Sequence, residues 1–192
     1  MPKVLQIAYF PPISYFSLLS EGDVLLEAHE NYQKQSWRNR CLISTANGPE
    51  ALQVPVQHSG GSISHPIRSV LVDYSRPWME RHKRAIDSAY RSSAWFEYYR
   101  DELYALMDLK PDSLWDLDYS ILEFFLKKLH LGMPGLTGQY TGAALDLSPK
   151  RPDTFYVEKP YFQVFSARHG FLPNMSIMDL LFNEGPSAAD FL

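Results

Sequence analysis

Apolar and polar positions change rhythm along this chain, and the changes divide it into three parts. The first part reads as strands and turns. Val4 to Ala8 is a short continuous apolar run, the pattern of a buried strand. Pro11 and Pro12 stop it and set up a turn. Tyr15, Phe16 and Leu19 then fall on one face of a short helix over Ile13 to Leu19, ended by Gly22-Asp23. Val24 to Glu27 is a second strand, so the chain opens in a βαβ-like order. Ligands in such folds sit near strand C-termini, which here means the Tyr9 to Ser14 turn. Arg40 to Ser44 and Leu52 to Gln57 are extended runs around Asn47-Gly48, a hairpin signal, with Pro49 and the spacing predicting a longer loop. Ser59 to Ser64 reads as a Gly/Ser loop, and Ile67 to Val72 as another extended run.

In the second part the period becomes helical. Pro77 suits a helix start, and Met79, His82, Ile86, Ala89 and Tyr90 recur at helical spacing. Phe96, Tyr99, Leu103 and Leu106 continue the stripe after Ser92-Ser93. Ser113 is a suitable N-cap for a helix from Leu114 to His130, stopped by Gly132 and Pro134. The third part, Gly132 to Pro160, has no clear period and is too long for an incidental connection. It suits an active-site loop, a binding arm or a remnant of a larger segment. Tyr161 to Ala167 alternates like a strand. Ser176 with Asp179 resembles a capping box for a helix through Phe182, closed by Gly185, with a tail beyond. The pattern predicts one α/β domain over residues 1–192: a mixed β-sheet with a βαβ-like start and a hairpin, covered by helices around 77–131.

Composition narrows the classes. A chain of 192 residues is long enough for one buried core, and a net charge of -4 gives no basic footprint for nucleic acid. The single cysteine, Cys41, excludes a disulfide within the chain and suits a reducing, cytoplasmic setting. Its place beside Leu42 and Ile43 reads as a small buried strand residue. No apolar stretch approaches the length of a membrane span.

Among chemical motifs, Gly-rich phosphate loops, a Walker lysine and zinc-protease spacing are all missing, and no motif names a cofactor. The Gly60-Gly61 pair is too weak to read as a phosphate cradle. The histidines are scattered without metal-ligand spacing, so no metal is expected. The segment Tyr32 to Arg40 stands out, because it packs Tyr32, Lys34, Trp37, Arg38, Asn39 and Arg40 together. Lys34 and Arg40 suit an anion such as a phosphate, and they would face the same side of a regular strand. Trp37, Tyr15 and Tyr32 suit stacking on a ring or sugar face, and Trp37 and Tyr15 suit core packing equally well. Gln6, polar among apolar neighbours, must be a ligand contact or a backbone clamp. His82 is the first choice of acid/base group and His29 the second, since histidine titrates near neutrality.

The chain resembles the WbqC-like protein family. Gln6, Phe10, Pro11, Tyr15 and Phe16 match an opening Gln-Pro-x-Phe-x-Pro-x-x-Gly-Tyr-Phe pattern, with Ile7 and Ser14 replacing its first proline and its glycine. Tyr32, Lys34, Trp37, Asn39 and Arg40 match Tyr-x-Lys-x-x-Trp-x-Asn-Arg. Leu52, Val54 and Pro55 fit a strand pattern, and Trp78, His82 and Tyr90 a helical one. Ser176, Ile177, Asp179, Leu180, Leu181, Asn183 and Gly185 fit the closing pattern after Pro173. Ala28 and His29 stand where family members often carry an acidic pair, and a segment of longer members is largely missing between Leu131 and Lys159.

The resemblance implies a transferase of bacterial surface-polysaccharide (O-antigen type) biosynthesis that moves a glycyl or other aminoacyl group to an amino sugar. His82 would deprotonate the attacking amine, while Lys34, Asn39 and Arg40 would position a nucleotide-linked or carrier-linked substrate. The alternative is a non-catalytic binding or assembly protein that keeps the family pocket. Phe155, Tyr156, Tyr161 and Phe162 could then serve a partner or a homodimer. Convergence of Gln6, Lys34, Arg40 and His82 on one cleft favours the enzyme, and scatter favours the binding module.

Overall fold

The N-terminal apolar run forms β1 (Lys3–Leu5), and the prolines after it lead into α1 (Ile13–Ser20) and then β2 (Val24–Leu26). β1 and β2 pair in parallel, Lys3 opposite Val24 and Leu5 opposite Leu26, which is the expected βαβ arrangement. This is a computed structural model, and it describes residues 2–57, 65–145, 147–151, 153, 155–157 and 159–192. The expected Ser59 to Ser64 loop, with Gly60-Gly61, lies outside the described residues.

The hairpin forms from β3 (Arg40–Thr45) and β4 (Gly48–Gln53). Its loop is tighter than expected. Thr45 pairs with Gly48, leaving Ala46 and Asn47 as the turn, and Pro49 sits inside β4 opposite Ser44. Gly48 has φ 98°, a conformation that glycine supplies at no steric cost. Proline is tolerated there because the two-stranded sheet leaves β4 an edge strand. The mixed set of strands therefore divides into two small sheets, one parallel and one antiparallel.

The helical stripe folds as α2 (Trp78–Tyr90), α3 (Phe96–Asp108) and α4 (Leu114–Lys128). Ser113 caps α4 by accepting from the Asp116 N–H at 3.0 Å. The core sits where these helices meet α1. Phe125 of α4 packs edge-on against Phe10, Phe16 and Phe124.

Five sequence expectations change. Ile67 to Val72 is no continuous strand: Ile67–Ser69 is a 3-10 turn, and Leu71 and Val72 form single bridges, to Ser113 and Val56. Gly132 to Pro160 is not loop throughout, because β5 (Gly135–Leu136) adds a third parallel strand beside β2, and Ala144 bridges to Val4. Tyr161 to Ala167 alternates in burial without strand partners and runs into a short helix, α5 (Ser166–His169). Its alternation comes from Tyr161 and Gln163 both reaching Asp179. α6 (Ile177–Glu184) is capped by the Ser176 hydroxyl, but the Asp179 carboxylate serves that inward network and does not close a capping box. The tail is ordered as a 3-10 helix, Gly185–Phe191, with Ala188 fully buried.

Candidate binding cleft beside the Trp37 turn

The cleft is built from the segment between β2 and β3. Residues 30–32 lie against residues 65–67: the Tyr32 N–H donates to the His65 carbonyl at 2.8 Å, and the Ile67 N–H to the Glu30 carbonyl at 2.9 Å. The chain then turns at Gln35, with φ 57°, into a 3-10 turn over Trp37–Asn39. Lys34 and Arg40 are thus not on one regular strand, because the turn intervenes. Asn39 is fixed twice to the end of the hairpin. Its Nδ2 donates to the Val54 carbonyl and its own carbonyl accepts from the Val54 N–H, each at 2.9 Å. The opposite wall follows from the Asp73 N–H donating to the Pro55 carbonyl at 2.9 Å, which sets Asp73 to Arg76 beside the hairpin exit.

Between these walls lies an open cleft of about 610 Å³, lined among others by Tyr32, Lys34, Asn39, Gln53, Asp73 and Arg76. Lys34 and Arg76 are exposed, and among the described residues neither has a salt-bridge partner within 4 Å. The Arg40 guanidinium donates to Gln53 Oε1 at 3.0 Å, so it borders the cleft through a lining residue. Asn39 is buried, yet its Oδ1 has no donor among the described residues. An unsatisfied buried acceptor is costly and is a natural contact for a ligand hydroxyl or N–H. Tyr32 offers a half-buried ring. The surface suits a ligand with negative charge, hydroxyls and a ring.

Behind the cleft stands a buried polar layer. Arg38 grips Glu30 with two hydrogen bonds, from Nε at 2.8 Å and from Nη2, and both residues are buried. Burial raises the Glu30 pKa although Arg38 pulls it down. Asp118 of α4 is fully buried with no donor to either oxygen among the described residues, and burial pushes its pKa well up against the pull of Arg38. Glu27 is buried too. Thr141 donates to it twice, Thr137 and the His29 N–H once each, and these bonds outweigh desolvation and hold its pKa below the ordinary value. Glu27 and Glu30 bracket Ala28-His29, so buried carboxylates flank the place where the family's acidic pair was expected. They hold the β2 exit to the 137–141 segment and to the Trp37 turn.

The sequence-predicted residues separate into groups. Tyr32, Lys34 and Asn39 meet in the cleft, with Arg40 at its border. Gln6 is a clamp: its Nε2 donates to the Leu147 carbonyl at 2.8 Å. Tyr15 is fully buried, and its hydroxyl donates to the Gln6 carbonyl at 2.8 Å. Trp37 is buried and lines a different pocket. His29 is exposed and does not line the cleft. His82 is 5% exposed, packed on Trp78, with Nδ1 2.9 Å from the Tyr9 hydroxyl. Burial lowers its pKa to about 4 despite a hydrogen bond to the Gln53 backbone. It therefore stands neutral behind Gln53. Gln6, Lys34, Arg40 and His82 do not converge on one cleft. Gln53, Asp73 and Arg76 were missed because their partners are distant in sequence. Arg38 was legible only as one more cation, since nothing local marks it as buried. Among the described residues, no group of three or more His, Cys, Asp or Glu side chains is placed to hold a metal.

The chain belongs to the WbqC-like protein family, whose sequence model matches residues 6–144. It is also similar to the uncharacterized protein Rv1507c of Mycobacterium tuberculosis, at 28% identity, with 98% of this chain and 96% of that protein covered. No solved structure matches it. Among the described residues no helix is long and apolar enough to cross a membrane.

Proposed function

We propose that the cleft binds the phosphate-bearing end of a nucleotide-linked or carrier-linked sugar, and that the protein is a cytoplasmic transferase of bacterial surface-polysaccharide (O-antigen type) biosynthesis. The observation that carries this reading is the pairing of two cations, Lys34 and Arg76, neither with a salt-bridge partner among the described residues, with the Tyr32 ring and the spare acceptor of Asn39 in one cleft that also holds Asp73. Charged donors on a phosphate form the stronger class of hydrogen bonds, and the ring and amides suit the sugar or base. Glycyl or aminoacyl transfer to the amine of an amino sugar is the reaction the family resemblance supports. His82 then acts as a positioning residue, because its ring is neutral, buried and committed to Tyr9 and Gln53.

A second reading is a binding or assembly protein without chemistry. The scatter of Gln6, Lys34, Arg40 and His82 favours it, as do the burial of His82 and the absence of His29 from the cleft. Thermal-shift measurements against nucleotide sugars, acyl-coenzyme A, phosphopantetheine and aminoacyl-adenylate analogues test the proposal, since a ligand of the native state raises the melting temperature. A nucleotide-sugar shift that Lys34→Ala abolishes supports the cleft reading. Mass-spectrometric detection of an aminoacylated sugar separates the enzyme from the binder. Absence of any shift across the panel counts against the transferase and favours the assembly reading.

A further inference from the structure

The Trp37 turn borders a second pocket. It measures about 640 Å³ and opens between residues 148–151, 153 and 156–157 on one side and residues 173–175 on the other. Its lining is largely apolar, with Trp37, Leu42, Pro149, Val157 and Met175, and Lys150 adds a positive charge. The wall is anchored. Asp153 accepts from the Ser14 hydroxyl and from Asn174 Nδ2 at 2.9 Å, and Asn174 Oδ1 accepts from the Ser14 N–H at 2.9 Å. Those bonds tie Asp153 to the start of α1 and occupy one oxygen of the one carboxylate in the lining. Trp37 is 4% exposed, and its indole N–H has no acceptor among the described residues. A buried donor without a partner needs a ligand oxygen or carries a desolvation cost. The Lys150 ammonium is exposed and has no salt-bridge partner among the described residues.

We infer that this pocket is a second small-molecule site, for an anion with a flat apolar body. The body lies on Trp37 and the aliphatic wall, an acceptor oxygen meets the indole N–H, and the negative head meets Lys150. Trp37 and Asn39 lie on one 3-10 turn and line different pockets, so the same turn supports both. The inference stands on lining and burial alone and does not depend on the transferase reading.

1-Naphthyl phosphate is the test ligand, with inorganic phosphate as the head alone and 1-naphthalenemethanol as the body alone. Titration calorimetry on the full chain should show binding of 1-naphthyl phosphate, tighter than either fragment. Lys150→Ala, a surface change that leaves the core intact, should weaken it by about tenfold, the loss of one charged contact. Trp37→Phe keeps the ring and removes the donor, and should weaken it as well. Lys34→Ala/Arg76→Ala removes the cations of the other cleft. Retained binding in that variant keeps the ligand in the second pocket. Loss of binding there, no binding by the wild type up to about 1 mM, or indifference to Lys150→Ala overturns the inference.

Discussion

Acidification should destabilise this protein through His82, and the size of the effect follows from its surroundings. The imidazole is 5% exposed and packs on Trp78, with bonds to Tyr9 and the Gln53 backbone. Burial lowers its pKa from 6.5 to about 4. Between those values the unfolded chain holds a proton on this ring that the folded chain does not. Stability rises with pH wherever the unfolded state binds more protons. The contribution is therefore whole above about pH 6.5 and is lost as pH falls toward 4. At about 1.4 kcal/mol per pH unit, the full loss is about 3 kcal/mol. Urea unfolding of the wild type and of His82→Phe across this range checks it. The variant keeps an aromatic ring beside Trp78, and its cost in lost hydrogen bonds should not depend on pH. The carboxylates titrate in both proteins and cancel in the difference. The stability gap should shrink on acidification by about 3 kcal/mol. Parallel stability curves would refute the burial argument and reopen His82 as a titrating base.

Other consequences are equally open to measurement. Asp179 is held with its pKa raised from 3.8 to about 6, chiefly by burial. Its folded form keeps a proton that the unfolded chain gives up, so stability falls as pH rises through that window, by about 3 kcal/mol. Asp179→Asn should remove that fall, and an unchanged pH profile in urea titrations would contradict it. Gly185 has φ 56°, and an added Cβ would lie 2.3 Å from the Trp95 ring. Gly185→Ala should cost about 2–4 kcal/mol from overpacking and left-handed backbone together, and a stable variant in thermal melts would count against the register of α6. Glu30→Gln leaves Arg38 buried without its counter-charge and should cost about 3–5 kcal/mol in urea unfolding. A loss below about 1 kcal/mol would place the pair in solvent.

The legible parts of the fold are those written in local periodicity. α1, α2, α3 and α4 follow from spacing alone, and the Ser113 cap from a single residue. What escaped depends on partners distant in sequence. β5 is two residues, Gly135 and Leu136, and becomes a strand only because β2 lies beside it. Gly135 tolerates that approach because a Cβ there would lie 2.9 Å from the Leu25 side chain. Asp179 looked like a helix-start residue because its network partners, Tyr161 and Gln163, are brought in by tertiary contact. In the site, the Tyr32 to Arg40 segment was visible as a concentration of cations, rings and amides. Sorting it into cleft, buried support and second pocket required the 3-10 turn, which sends Asn39 and Trp37 to different surfaces. Arg76 comes from a separate loop, set in place by the Asp73–Pro55 hydrogen bond.

The most direct test of the cleft is a titration of UDP-N-acetylglucosamine and related nucleotide-linked amino sugars into the wild type, Lys34→Ala and Arg76→Ala, followed by calorimetry. The account predicts saturable binding by the wild type, weakened by about tenfold to a hundredfold in each variant, the loss of one charged contact to phosphate. Wild-type affinity in both folded variants, or no binding of any nucleotide sugar, would contradict it.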